Sequence, residues 1–142
     1  VTVLNTAPYL DSTRAMAPKA RILIANETEF ALLSGTDLSH LDQAMQDWSR
    51  QHDQTLIVTL GPDGAKAATR SGFFHVPAMA VTPVDTVGAG DTFCGYLAAG
   101  LDAGLELQAA MQRAAVAASL ACLKPGAQPA IPYGKDVDAA MG

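Results

Sequence analysis

Three short apolar runs punctuate the first part of the chain: Val1–Leu4, Arg21–Ala25 and Thr55–Leu60. None alternates polar with apolar residues. Each therefore predicts a strand buried on both faces, as in a parallel sheet. Helical spacing lies between them. Asp37 stands as an N-cap, and Leu38, Leu41, Met45 and Trp48 follow at intervals of 3, 4 and 3, one apolar helical stripe. The order is β-α-β-α-β, with right-handed crossovers expected. The strands run into Asn5, Asn26 and Gly61. Ligands of open parallel sheets bind at the carboxyl ends of the strands, so these polar and glycine positions share one rim.

Beyond Gly64 the pattern changes. Ala65–Arg70 and Phe73–Pro77 flank Ser71-Gly72, which predicts a hairpin with His75 on its surface. A glycine-bearing loop then leads into a helix ending near Leu101. A second, Ala-rich helix covers roughly Leu105 to Leu123, and its small side chains predict close packing. Lys124–Pro129 is a turn-rich loop, and Asp136–Gly142 forms a short terminal helix. No repeat or linker interrupts residues 1–142, which read as a single α/β domain.

The chain's 142 residues are 49% apolar and 16% charged, with 9 Lys+Arg against 14 Asp+Glu, a formal charge of −5. A domain of this size buries roughly 70% of its unfolded surface, and the composition excludes general disorder. Acidity and the lack of a basic cluster argue against nucleic acid as a partner. The longest strongly apolar run, Ala114–Leu123, is too short to span a bilayer, so no membrane partner is expected. No signal peptide is expected either. Cys94 and Cys122 sit in apolar helical patterns and read as buried thiols of a reducing, cytoplasmic compartment. His40, His52 and His75 have no metal-ligand spacing. The chain opens without Met inside a strand-like run, which fits a proteolysed or trimmed chain as well as a part of a larger protein.

The segment richest in chemistry is Gly88-Ala89-Gly90-Asp91 at a helix start. The first N–H groups of a helix lack internal partners, and the dipole makes that end positive. Glycines leave those groups unobstructed, a ready anion site. Asp91 in the first turn is placed to accept a proton from a hydroxyl that attacks phosphate. Helix-dipole preference alone also favours an acid there. The P-loop pattern is absent, since Gly61-Pro62-Asp63-Gly64-Ala65-Lys66 has the wrong spacing and no Ser or Thr after Lys66. A dinucleotide fingerprint is absent too, because Asp91-Thr92-Phe93 supplies no third glycine.

The longer string Asp85-Thr86-Val87-Gly88-Ala89-Gly90-Asp91-Thr92-Phe93 resembles the C-terminal signature of the ribokinase-like carbohydrate kinases, the phosphofructokinase B group. Asn26-Glu27-Thr28-Glu29 resembles that family's N-x-x-E motif, and Thr59-Leu60-Gly61-Pro62-Asp63-Gly64 its nucleotide-binding T-x-G-x-x-G. Gly126–Pro132 resembles the closing segment of the ribokinase branch. The resemblance spans nearly all of this chain but only the C-terminal half of the family's. It implies a three-layer αβα fold with a mostly parallel sheet and one hairpin. Most of the acceptor-sugar pocket is expected on the missing N-terminal half, and the expected partners are that half or a second copy of the chain.

The resemblance also implies roles. The chain would transfer the γ-phosphoryl group of ATP to a sugar hydroxyl, with Mg²⁺ and K⁺ as cofactors. Asp91 would be the base, and the N–H groups of Gly88, Ala89, Gly90 and Asp91 the anion hole. Asn26, Thr59, Leu60, Gly61, Gly64 and Gly90 would line the nucleotide. Glu29 would act near Mg²⁺ through water, consistent with that ion's retention of waters. Asp85, with the carbonyls of Val87, Ala121, Lys124 and Gly126, would hold a monovalent cation. Asn26 and Glu29 also read as the N-cap and first-turn acid of the following helix. An alternative for the whole chain is a nucleotide-binding fragment or a non-enzymatic domain that keeps the fold. Three residues depart from the family pattern: Ala115 stands where Asn is frequent, Ala130 where Ser is, and Thr6 where Pro is. The Thr6 exchange puts little in doubt.

Overall fold

A computed structural model describes residues 1–142. The chain divides into two compact units, one made of Val1–Leu60 with Ala65–His75, the other of Gly61–Gly64 with Val76–Gly142.

The first unit is built on the five-stranded sheet, whose strands lie in sequence order. They are β1 (Val3–Asn5), β2 (Ile22–Asn26), β3 (Thr55–Thr59), β4 (Ala65–Thr69) and β5 (Gly72–Val76). β1, β2 and β3 are parallel, with Leu4 opposite Leu23 and Asn26 opposite Thr59. β4 is antiparallel to β3. Helix α1 (Thr13–Met16) joins β1 to β2, and α2 (Glu27–Ser34) and α3 (Leu41–His52) join β2 to β3. Period-2 alternation sends Leu23, Ala25, Leu56, Val58 and Ala68 into a core shared with Phe30, Leu33, Leu41 and Met45. Ile22, Ile24, Ile57 and Ala67 on the opposite face are buried as well. The two inner strands thus match the expectation of strands buried on both faces. β1 does not: it is an edge strand with every residue half-buried.

The stripe expected from Leu38 begins later. Asp37 does cap, its carboxylate accepting the Ser39 N–H at 2.6 Å, but this closes a 3-10 turn over Leu38–His40. Leu38 is left exposed, and α3 buries Leu41, Met45 and Ser49. Behind α3 lies a buried clasp. The Gln54 carboxamide donates to the carbonyls of Ala17 and Ala20 at 2.6 and 2.7 Å and accepts the Trp48 indole N–H at 2.7 Å. It ties the end of α3 to the connection between β1 and β2.

The second unit is helical. α4 (Ala89–Asp102) and α5 (Leu107–Ala121) pack on each other, and α6 (Gly134–Met141) follows. Phe93, Leu97 and Gly100 bury one face of α4, and Ala110, Met111, Ala114 and Ala117 one face of α5. A Cβ at Gly100 would stand 3.1 Å from the Ala110 Cβ, so the predicted close packing of the Ala-rich helix is realised. α5 starts at Leu107, not Leu105, and Leu105 and Leu123 are exposed. Tyr96 donates to the Pro132 carbonyl at 2.6 Å, and Arg113 pairs with Asp138. These contacts fasten the final helix and its approach. Cys94 and Cys122 form no disulfide and are half-buried, where full burial was expected. No helix is long and apolar enough to cross a membrane.

Candidate functional site

Each unit carries one group of the residues singled out by sequence. In the first unit they gather at the carboxyl ends of β2 and β3, where Asn26 and Thr59 are register partners. Asn26 leaves the strand with extended backbone and caps α2. Its Oδ1 accepts the Glu29 N–H at 2.8 Å, and its own N–H donates to Glu29 Oε2 at 2.9 Å. This reciprocal pair is a capping box. Glu29 is buried to 9% exposure, and a third group reaches it. Thr6, 2% exposed, donates its hydroxyl to the same Oε2 at 2.9 Å.

The Thr6 exchange puts little in doubt about the resemblance, and the structure gives its hydroxyl a partner. Proline has no hydroxyl to offer, whereas threonine at this position reaches a buried carboxylate. The legible signal was a hydroxyl residue immediately after β1, on the same rim as Asn26. Thr59 is half-buried at the end of β3, and the Leu60 side chain packs against the first unit's core. Any role of Leu60 toward a ligand falls to its backbone.

The second unit holds the glycines of both motifs, and they differ in kind. Gly61 has φ 58° with open space beside it. Gly64 has φ 91°, and a Cβ there would lie 2.0 Å from the Val76 carbonyl oxygen. Packing within the unit dictates that glycine. Gly88, the N-cap of α4, has φ 78°, a conformation that suits glycine, and Ala127 crowds it at 3.0 Å. Gly90 is the exception. It sits in the first turn of α4, is exposed, and faces nothing within 4 Å of its missing Cβ. Glycine in a helix costs about 0.5–1 kcal/mol relative to alanine, and no packing contact here demands it.

The first turn of α4 presents its donors beside that gap. Thr92 N–H bonds the Gly88 carbonyl at 2.9 Å, and Ala89 N–H reaches the Thr86 carbonyl at 3.3 Å. The N–H groups of Gly88, Gly90 and Asp91 have no partner in the chain. The Ala89 donor is thus the one of the four already engaged. Asp91 is exposed, and its carboxylate makes no hydrogen bond within the chain. The Thr92 hydroxyl beside it is buried without a partner.

Asp85 has a visible structural task. Its Oδ1 accepts the Val87 N–H at 3.0 Å and its Oδ2 the Gly126 N–H at 2.9 Å. These bonds hold its carboxyl below the ordinary carboxylate range. Asp85 and Val84 N–H groups both bond the Cys122 carbonyl, so the loop before α4 is sewn to the loop after α5. Burial, reinforced by the Asp85 charge, pushes the Cys122 thiol up. None of the carbonyls of Val87, Ala121, Lys124 and Gly126 accepts a hydrogen bond from the chain. Oxygen donors of that kind suit a hard cation. No cluster of three or more His, Cys, Asp or Glu side chains forms a metal site. Ala115 and Ala130, the other two departures, are buried.

A sequence profile for "pfkB family carbohydrate kinase" matches residues 1–133. The chain belongs to this family. It is 34% identical over 142 residues to a ribokinase of Staphylococcus aureus (strain COL), covering 96% of this chain and 46% of the relative. It is 34% identical over 134 residues to a deoxyribokinase of Salmonella typhi, covering 92% and 44%. Among solved structures, Thermotoga maritima ribokinase superposes with a TM-score of 0.88 at 27% identity, covering 98% of this chain and 48% of that one. An Arabidopsis thaliana ribokinase complexed with ribose and ATP gives 0.85 at 28% identity, covering 96% and 46%. A fructokinase double mutant from Vibrio cholerae O395, in a fructose-, ADP- and potassium-bound form, gives 0.82 at 26%, covering 96% and 49%. The α/β ribokinase fold is common to all of them. The chain spans about half the length of the curated relatives it matches.

Proposed function

We propose that this chain is the nucleotide-binding and catalytic portion of an ATP-dependent sugar kinase, most similar to ribokinase. The observation that carries the proposal is the first turn of α4. There an unpacked glycine, unpartnered N–H groups and an exposed aspartate stand together. Asp91 takes the proton of the acceptor hydroxyl. The hydroxyl oxygen bonds to the γ-phosphorus as the bond to the β-phosphate bridging oxygen breaks, and ADP leaves. The N–H groups of Gly88, Gly90 and Asp91 stabilise the charge spread over the transferring phosphoryl oxygens. A weak base suffices because the loose transition state demands little activation of the nucleophile.

Asn26, Thr59 and the Gly61–Gly64 turn contribute to the nucleotide phosphates. Glu29 fits magnesium through water, since its carboxylate is a hard oxygen donor already oriented by two hydrogen bonds, from the Asn26 N–H and the Thr6 hydroxyl. Magnesium, when bound, would neutralise charge on the phosphate oxygens. The carbonyls of Val87, Ala121, Lys124 and Gly126 would hold a monovalent cation such as potassium, with Asp85 fixing the two loops that carry them.

The test is ADP release from MgATP, with potassium present, over a panel of sugars, with Asp91→Asn as control. Sugar-dependent release that disappears in the variant is the expected result. Undiminished release by Asp91→Asn would remove Asp91 from the mechanism. Equal rates in potassium and in a bulky organic cation would remove the cation site. A second reading is favoured by the chain covering about half of its relatives: a unit that binds nucleotide while a companion half binds the sugar. MgATP binding without turnover would select it.

A further inference from the structure

We propose that Thr6 is a positioning residue for Glu29, setting which carboxylate oxygen is offered to a magnesium-bound water; this rests on the reading of Glu29 given above. Thr6 lies 23 positions before Glu29, so its hydroxyl is no part of the helix's own cap. The capping box is complete without it, since the Asn26 N–H and side chain already satisfy the reciprocal pattern. The Thr6 bond is additional.

Thr6 is also fixed independently of α2. Its N–H donates to the Ile24 carbonyl at 3.0 Å, which continues the β1–β2 pairing one step beyond Asn5. The sheet therefore aims the hydroxyl. Both outside donors, Asn26 N–H and Thr6 hydroxyl, fall on Oε2. Oε1 receives neither, and it is the oxygen left to accept a hydrogen bond from a metal-bound water. Hydrogen bonds that orient a metal's direct ligands govern affinity by about 10–100-fold, and for a carboxylate acting through a metal-bound water the low end of that range is the expectation. A residue at this position without a hydroxyl would leave Glu29 oriented by the helix cap alone.

The test reads magnesium dependence rather than turnover. ATP binding to the whole chain is followed by calorimetry while Mg²⁺ is titrated, in the unsubstituted chain, Thr6→Val, Thr6→Ser and Glu29→Gln. Valine matches threonine in shape and removes only the hydroxyl. The expected result is that Thr6→Val needs about 10-fold more Mg²⁺ for half-saturation, that Thr6→Ser stays near the unsubstituted value, and that metal-free ATP binding does not change. Thr6→Ala removes the same hydroxyl and must show the same shift; it decides the matter if the valine variant does not fold. A lower melting temperature with an unmoved Mg²⁺ midpoint would make Thr6 merely structural and overturn the proposal. If Glu29→Gln moves the midpoint and Thr6→Val does not, only the Thr6 proposal falls. If Glu29→Gln leaves the midpoint unmoved, or the chain binds no MgATP, the reading of Glu29 falls and takes Thr6 with it.

Discussion

Replacing Gln54 by leucine tests whether the buried clasp holds the first unit together. The side chain is 3% exposed and makes three hydrogen bonds, two to carbonyls and one from the indole. Its backbone bonds to Ser49 do not depend on the carboxamide. Leucine has similar volume, so it strips the three polar partners while leaving little room for water. The Ala17 carbonyl belongs to a fully buried residue but keeps a long bond from the Ala20 N–H at 3.4 Å, so losing the amide there costs about 1 kcal/mol. The Ala20 carbonyl and the Trp48 indole lie at half-buried residues, where water recovers part, so each costs about 0.5–1.5 kcal/mol. Leucine's own burial offsets some of this, leaving about 1–3 kcal/mol. A mid-range loss of about 2 kcal/mol lowers Tm by roughly 4–8 °C in a chain of this size. Urea unfolding should show a lower midpoint at unchanged slope. Trp48 is the sole tryptophan, and exchange of its Gln54 partner should shift its emission. A loss below about 0.5 kcal/mol with unmoved emission would refute the reasoning, since a satisfied buried amide cannot be removed that cheaply.

Gly64→Ala should destabilise by about 3 kcal/mol or more, through a positive φ and a backbone clash at 2.0 Å; a urea midpoint near the unsubstituted value would contradict it. Gly90→Ala should do the reverse for stability, raising it by about 0.5–1 kcal/mol, while weakening nucleotide binding measured by calorimetry. Unchanged binding would mean that no phosphate approaches the open side of that turn. Asp85 has a lowered carboxyl pKa, so its stabilisation is complete above the ordinary value of about 4 and disappears as pH falls through the lowered folded value. Hydrogen exchange should show protected Val87 and Gly126 amides at neutral pH, with protection lost in acid and in Asp85→Ala. Equal protection in the variant would show that other contacts hold the loops.

The parallel strands were legible because Leu23–Ala25 and Leu56–Val58 carry continuous apolar runs, which only a two-sided burial explains. Asp37 was legible as a cap but not as the cap of a 3-10 turn, since an aspartate accepts an N–H two residues on in either geometry. The helix start at Gly88–Asp91 was legible from its glycines, while the roles assigned there came from the resemblance of the longer string. The sorting of the motif glycines was not legible. Gly64 and Gly90 look alike in a string of letters, and only the position of Val76 and Ala78 shows that one is filled by packing and the other is open. Thr6 escaped for the same reason: its partner is distant in sequence, and no local pattern marks a hydroxyl whose acceptor lies on another element.

That difference between the two glycines bears on how such a chain would diverge. If selection for phosphate transfer were relaxed, Gly64 would persist because the fold itself rejects any side chain there. Gly90 would be free to drift, and alanine would be favoured on helix stability alone. A descendant could therefore keep the T-x-G-x-x-G signature and the architecture long after its chemistry had gone. Under the proposed function the residue at position 90 is the better witness of a living enzyme, because helix stability argues against keeping a glycine there and no packing contact requires it.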